Sequence, residues 1–414
     1  MNTPTAPDDE AGFDARATPG HRFAVGRFWR AMPSGMPRRW WMFRAFDLIA
    51  RHWPIAKRRR GVLVVRMDGI GDMVLFRRAL DRYAELFGVE RSDITVLGCR
   101  SWASIKDEVF AGYRVHVIDE HAFARFPLYR FKVSMWVRRL APAVAVCDSF
   151  FRRPLMADSL VLASGAPRQV VSLPHISERT RPLFTYYLSQ ATDIINTGLY
   201  PTHESVRHAR FVSALAGRPI AAEPPRIAWR DGSNPAAGGA YVVLNPGSNE
   251  PGRRWPIASY AAIAKRLRAA GRRVVLVGAA EEKTPSSALA AFRQDSGVVD
   301  LIGRTSLPEL MDVMKGAAAV LSNDSGPAHL AIALGTPTVV VVGGGHFGSF
   351  FPYPEGVRPG NARFVFQEME CYHCFWNCHK RQTKYDVFPC ISAIDEDRVW
   401  RELDGLLARP SATS

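Results

Sequence analysis

From residue 61 onward, short β-branched apolar runs alternate with helix-length stretches of mixed polarity. The runs 62–66, 94–98, 115–118, 144–147 and 169–171 form one set, and 241–244, 273–277, 299–302, 319–322 and 338–342 a second. Near-continuous apolar runs spaced by helices predict parallel strands covered on both faces, the βαβ pattern of a doubly wound sheet. Between the two sets lies 218–239, rich in Pro, Ala and Gly, which reads as a linker. The pattern predicts an α/β protein of two facing Rossmann-like domains with an interdomain cleft. Its divisions are a tail and arm at 1–60, an N-terminal domain at 61–217, the linker at 218–239, a C-terminal domain at 240–366, and a closing region at 367–414. Ligands in such sheets sit beyond the carboxyl ends of the strands, so chemistry is sought in the loops there.

The two ends depart from this pattern. Residues 1–20 are polar and acidic, read as disorder rather than a signal peptide. Residues 21–60 mix arginine with Trp, Phe and Ile. That composition suits either a segment lying at a charged membrane surface or a helical arm packed on the protein itself. No stretch reaches the ~18 apolar residues of a membrane span. A cytoplasmic protein, peripheral at the inner face of the inner membrane, is therefore expected.

Composition adds one constraint. With 414 residues, 47% hydrophobic and 22% charged, each half can bury a core, while a formal net charge of +15 calls for an anionic partner. Nucleic acid is disfavoured, because the basic and aromatic residues concentrate in the arm rather than along one domain face.

The first strand runs into Arg66-Met67-Asp68-Gly69-Ile70-Gly71-Asp72, with a helix expected from about Met73. The glycines permit a sharp turn, and the helix start offers unpaired N–H groups. Val74 stands where a nicotinamide fingerprint needs glycine. Asp72 is either a helix cap or a carboxylate presented to the cleft. The second half opens with Asn245-Pro246-Gly247-Ser248, followed by Arg253 and Arg254, whose guanidinium groups suit phosphates. Glu281 and Glu282 follow the next strand, where an acid accepts from ribose hydroxyls. Asp324, Ser325 and Gly326 precede a helix starting at a Gly-Pro pair, an anion site suited to a diphosphate. His329 on its first turn reads either as a ligand contact or as a packed histidine.

Three blocks, VRMDGIGDMVL at 65–75, LNPGSNEPGRRWP at 244–256 and SNDSGPAHLAIALGTPTV at 322–339, resemble in order and spacing the heptosyltransferase-like enzymes of glycosyltransferase family 9. The resemblance covers about residues 61–405. It implies a GT-B fold, nucleotide diphosphate sugar on the C-terminal half, acceptor on the N-terminal half, inversion at the anomeric carbon and no catalytic cofactor. By position, Asp72 matches the general base and Arg253 the cation on the donor diphosphate. Asn245, Gly247, Ser248, Asp324, Ser325, Gly326 and His329 match donor-binding positions, with Glu281 or Glu282 near the ribose acid. Gly71 lies on the acceptor side. So do Arg77 and Arg78, where many relatives have Thr-Pro, which suits either a phosphorylated acceptor or plain surface charge. The implied reaction is transfer of a sugar, heptose from ADP-heptose, to a lipopolysaccharide core or other bacterial surface glycan. The alternative is O-heptosylation of an autotransporter-type protein.

Cys371, Cys374, Cys378 and Cys390 have spacing compatible with four thiolates on one tetrahedral zinc or iron ion in a structural role. His373 and His379 are nearby spare ligands. Local disulfides or free thiols are the bland alternative. Relatives that modify autotransporters carry such a cluster. The GT-B pattern implies that the closing helix, about 396–407, packs back toward the N-terminal half.

Overall fold

The computed structural model describes residues 17–19, 25–55, 58–232, 234–236, 238–280 and 295–408. The first sheet holds β1 (Ala17–Pro19), β2 (Val62–Arg66), β3 (Ile94–Cys99), β4 (Arg114–Ile118), β5 (Val144–Cys147), β6 (Arg168–Ser172) and β7 (Asp193–Ile195), in the order β1-β7-β6-β5-β2-β3-β4. All pair in parallel except β1, which runs antiparallel to β7 at the edge, so part of the tail expected to be disordered is a strand. The second sheet is β10 (Val298–Asp300), β9 (Arg273–Leu276), β8 (Tyr241–Asn245), β11 (Ala319–Asn323), β12 (Thr338–Val341) and β13 (Ala362–Val365), in that spatial order and wholly parallel. The central strands β2, β3, β8 and β11 are buried along their whole length, as sheets covered on both faces require. Two facing parallel α/β sheets with covering helices are the GT-B architecture.

In each sheet the strand order reverses once, between β2 and β5 and between β8 and β11. These switch points open the crevices where α/β sheets bind ligands. The aspartate-bearing loop after β2 lies at the first, and the Asn245 and Asp324 loops lie at the second.

Helices position the rest. From the arm come α1 (Arg27–Ala31) and α2 (Arg38–His52), and α3 (Ile70–Phe87) follows β2. α4 (Pro127–Leu140) and α5 (Ala157–Ser164) lie under α2, and α6 (Glu204–Ala216) packs on α3. α2 buries Trp40, Phe43 and Ala50, and its Asp47 takes a bidentate bond from the buried Arg130 at 2.7 and 2.8 Å. One face of the arm is thus part of the domain's own core. Its other face is apolar too: Trp41, Met42, Ile49 and Trp53 are exposed, as are Phe126 and Leu128 at the start of α4.

The second half continues with α7 (Ile257–Ala269), α8 (Leu307–Lys315), α9 (Gly326–Ala333) and α10 (Glu396–Leu407). The segment 218–232 is tacked down rather than loose: Trp229 is buried and donates to Asp312 at 2.7 Å, and the Ile227 N–H bonds Ala333 C=O. Contrary to expectation, α10 does not return to the N-terminal half. Its buried Val399, Leu403 and Leu406 join the core of the second sheet with Leu244 and Val339. That amphipathic face finds its apolar partner on its own sheet.

Candidate functional site

The two halves meet where α3 and α9 begin. α3 starts at Ile70, three residues before the sequence suggested, with Gly69 as its cap residue. Asp72 is therefore not the cap but sits inside the first turn, its carboxylate accepting from the N–H groups of Gly69 and of Asp72 itself. At Gly71 a Cβ would fall 2.8 Å from Cδ2 of His329 on α9, and at Gly326 a Cβ would fall 3.2 Å from Ile70. Glycine at these two positions lets the helix starts approach across the cleft.

Around Asp72 lies a buried charge network. Arg66 Nε meets Asp68 at 2.8 Å, Arg66 Nη1 meets Asp148 at 2.6 Å, and Tyr83 and His208 each bond Asp148 at 2.9 Å. Burial opposes the Arg66 charge, but Asp68 and Asp148 outweigh it and hold it charged. Asp148 has its own burial cost offset by Arg66 and His208 and stays well below the ordinary carboxylate range. Asp72 goes the other way. Burial and the neighbouring Asp68 push it up to about 7, against the pull of Arg66. A carboxyl group titrating near neutral pH at the mouth of a cleft is suited to take up a proton. Glu204, at the start of α6, is a further buried carboxyl, raised by burial to about 8 against Arg207 and within the field of Asp72.

The second switch point is stitched by Asn323, wholly buried. Its amide donates to Pro246 C=O at 2.8 Å and its Oδ1 accepts from the Trp255 N–H at 3.0 Å. Asn245 donates to Ser322 Oγ at 2.9 Å, and Ser322 touches Ser325 at 3.3 Å. Arg254 holds the turn closed through two bonds to Ser248 C=O at 2.8 and 2.9 Å. Arg253 instead faces the cleft beside Asp324. Burial lowers its pKa while Asp324 raises it, and burial pushes Asp324 up to about 6. α9 starts at Gly326, as the Gly-Pro pair suggested, with Ser325 extended at its cap position.

Not every candidate converges here. His329 is packed: Nδ1 is bonded to Tyr353 at 2.7 Å and the ring stacks on Phe351 at 4.0 Å. Arg77 pairs with Asp81 at 2.8 Å and donates to Val109 C=O, and Arg78 pairs with Glu223. Glu281 and Glu282 lie outside the described residues.

The cysteine segment departs from expectation. All four cysteines are free thiols, and among the described residues no three His, Cys, Asp or Glu converge as metal ligands, so the tetrahedral set is not assembled. Aromatic side chains share the inward positions with the buried Cys390. A Cβ at Gly344 would strike the Tyr372 ring at 2.2 Å, and one at Gly345 the Trp376 ring at 2.1 Å. The Gly343–Gly345 run exists to receive those rings. Even so, the thiols share a neighbourhood. Burial raises the Cys390 thiol, as do Cys371, Cys374 and Cys378 nearby, while the Gly344 N–H donating at 3.4 Å lowers it. The segment reaches the first half as well. Phe375 stacks on His175 with centroids 5.0 Å apart, and His373 meets the Tyr200 hydroxyl at 3.1 Å.

Comparison with known proteins places this geometry. Residues 179–380 match the glycosyltransferase family 9 (heptosyltransferase) profile. Lipopolysaccharide heptosyltransferase 2 of Salmonella typhimurium is 36% identical over 162 residues, 38% of this chain and 44% of that protein, so the match spans under half of the relative's length. The structure of E. coli ADP-heptose lps heptosyltransferase II superposes with a TM-score of 0.61 at 20% identity, covering 84% of this chain and 98% of that one. The iron-containing dodecameric glycosyltransferase TibC of enterotoxigenic E. coli H10407 gives 0.51 at 15% identity, covering 84% and 76%. The same protein has been solved in complex with ADP-D-beta-D-heptose. At these identities the structures speak for the fold alone, while profile and curated relative agree with each other: the chain is heptosyltransferase-like, similar to glycosyltransferase family 9.

Proposed function

We propose that this protein is an inverting, metal-independent glycosyltransferase that moves a sugar, heptose from ADP-heptose, onto a lipopolysaccharide core or other bacterial surface glycan. The observation that carries the reading is the meeting of two switch-point loops across one cleft, with Asp72 raised to about 7 on one side and Arg253 beside Asp324 on the other. In the proposed step an acceptor hydroxyl oxygen attacks the anomeric carbon and Asp72 takes its proton. The bond from that carbon to the phosphate oxygen breaks, and the nucleoside diphosphate leaves as an anion held by Arg253 and the N–H groups at the start of α9. Residues 61–217 form the acceptor side and 240–366 the donor side. Asn245, Gly247, Ser248, Asp324, Ser325 and Gly326 shape the donor loop, Gly71 admits the close approach, and Arg77 and Arg78 meet the acceptor only at its periphery. A thermal-shift screen of nucleoside diphosphates tests the reading, since a tight ligand raises the melting temperature by mass action. No shift with any of them refutes it.

No described helix is long and apolar enough to cross a membrane. A cytoplasmic enzyme resting on the inner face of the inner membrane is the proposed setting. Its support is the exposed stripe of Met42 and Ile49 on α2, at helical spacing with Arg38 and beside Trp41 and Trp53, opposite the face buried in the domain. A polypeptide acceptor is the second reading, favoured by the cysteine segment. A structural zinc or iron ion on Cys371, Cys374, Cys378 and Cys390 belongs to the proposal through their spacing and proximity, and it requires the side chains to turn toward one another.

A further inference from the structure

Three buried polar atoms without hydrogen-bond partners among the described residues gather around one ring: Arg253 Nε, Trp376 Nε1 and His346 Nδ1. The Arg253 guanidinium lies over the Trp376 indole with its carbon 4.0 Å from the ring centre, and the His346 ring meets the same indole edge-on at 6.2 Å. Arg253 and Trp376 offer N–H groups that can only donate. Buried donors without acceptors are costly and rare, and several together point to a ligand that supplies the acceptors.

Their positions come from three separate stretches. Arg253 follows β8, His346 follows the glycine run after β12, and Trp376 belongs to the cysteine segment. Since β8 and β12 both flank β11, these groups surround the loop that carries Asp324. The backbone around Trp376 is held under strain: His373, Phe375 and Trp376 all adopt left-handed conformations, with φ of 66°, 51° and 63°. Bulky residues rarely do so unless the surroundings dictate it, and such strain concentrates at binding sites. Here the Gly345 contact and the bonds from His373 N–H to Gly344 C=O and Phe375 N–H to Gly345 C=O dictate it.

We infer that Trp376 of the cysteine segment, with His346, is a third wall of the donor site and donates hydrogen bonds to the sugar-proximal phosphate of the nucleoside diphosphate that Arg253 holds. A cation, an indole N–H and an imidazole Nδ1 that the neutral ring presents as N–H in one tautomer match an oxyanion with several free oxygens. His346 contributes as a neutral ring, because burial, Arg253 and His175 lower its pKa to about 4. The inference deepens the proposed function and rests on it. It also gives the cysteine segment a direct part in donor recognition, beyond any role in stability.

Trp376→Phe tests this, because phenylalanine keeps a ring on Gly345 and under Arg253 while removing the N–H. Affinities for ADP, UDP, GDP and the corresponding monophosphates are measured by calorimetry on the full chain, with melting temperatures alongside. The expected result is an affinity for the preferred diphosphate lowered about five- to twentyfold, with monophosphate binding and melting temperature unchanged. In the Arg253→Ala background the Trp376→Phe loss should shrink, since both act on one phosphate. Equal affinity of wild type and Trp376→Phe for the diphosphate, or equal loss of diphosphate and monophosphate, overturns the inference while leaving the glycosyltransferase reading intact. A wild-type protein that binds no nucleoside diphosphate overturns both.

Discussion

Replacing Asp72 by asparagine separates catalysis from stability in opposite directions. The side chain keeps its shape, and the amide oxygen can still accept from the Gly69 N–H. What is lost is the proton acceptor, and general-base catalysis typically contributes about 10²–10⁴-fold, so turnover should fall at least ~100-fold with donor affinity nearly unchanged. Stability should move the other way. Burial and Asp68 hold the folded carboxyl at about 7, above its ordinary 3.8. A carboxyl raised on folding costs nothing where both states are protonated. Its cost grows as pH rises from about 4 to about 7 and stays constant above. Asparagine never carries that charge, so the variant's advantage should be absent near pH 4 and full by pH 8. Asp72 is only partly buried, and after solvent screening the gain should be on the order of 1–2 kcal/mol, or about 2–6 °C. Nucleoside diphosphate release at saturating acceptor gives the rate, and melting curves at pH 5 and pH 8 give the stability. Wild-type turnover should itself rise with pH and level off above about 7. Turnover of the variant within a few fold of wild type removes Asp72 from the mechanism. A lower melting temperature at pH 8 refutes the electrostatic account of the network.

Other expectations follow from the same geometry. Arg253→Ala should weaken a nucleoside diphosphate about ten- to hundredfold but a nucleoside little, and equal losses would show that Arg253 misses the diphosphate. Gly71→Ala places a methyl 2.8 Å from the His329 ring, so turnover should drop several-fold through imperfect closure, recovering in part with His329→Ala; wild-type rates in Gly71→Ala would mean the helix starts need not meet. Met42→Asp with Ile49→Asp should release the protein from vesicles rich in anionic lipid without lowering the melting temperature, and unchanged co-sedimentation would show that the stripe is not the contact. Deleting the arm is a poor substitute, because Trp40, Phe43 and the Asp47–Arg130 pair belong to the core. Elemental analysis should find one zinc or iron per folded chain, lost with a lower melting temperature in Cys374→Ser, and a metal-free stable protein removes the metal.

The strands were legible because parallel strands buried on both faces write themselves as continuous apolar runs, and β2, β5, β8 and β11 fall where those runs stand. The strands missed were the marginal ones, β13 at the edge of the second sheet among them. β1 has three residues, one of them proline, and β7 has three beginning with an aspartate, so both owe their existence to the edge they complete. The start of α3 was misplaced because Gly69, Ile70 and Gly71 look like loop. Only the contact with His329 and Gly326 on a distant stretch explains why a helix there tolerates glycine. The partners that raise Asp72 were equally out of reach. Asp68 is visible in the same loop, but Asp148 and Tyr83, which occupy Arg66 and Asp148 and so leave Asp72 undercompensated, come from the end of β5 and from α3.

The glycine run and the cysteine segment show how such distant dependence shapes the site. Read alone, Gly343–Gly345 is a flexible loop and four cysteines are a metal ligand set. Together they form one interface, in which the glycines leave room for Tyr372 and Trp376 beside the four neighbouring thiols. Among the described residues the interface leaves buried polar atoms without hydrogen-bond partners at Arg253, His346 and Trp376 and, near the same junction, at Ser349 Oγ. Each such atom destabilises the folded chain by roughly 1–3 kcal/mol. A protein with a net stability of only about 5–15 kcal/mol keeps several of them in one place only where something else gains. Three of them meet at one ring beside the second switch point, while the Asn323 side chain has both polar atoms bonded within the second sheet and its loops. That contrast divides the site into a rigid frame and a surface prepared for a ligand. It assigns Arg253, His346 and Trp376 to the surface, and Asn245, Asn323 and Arg254 to the frame.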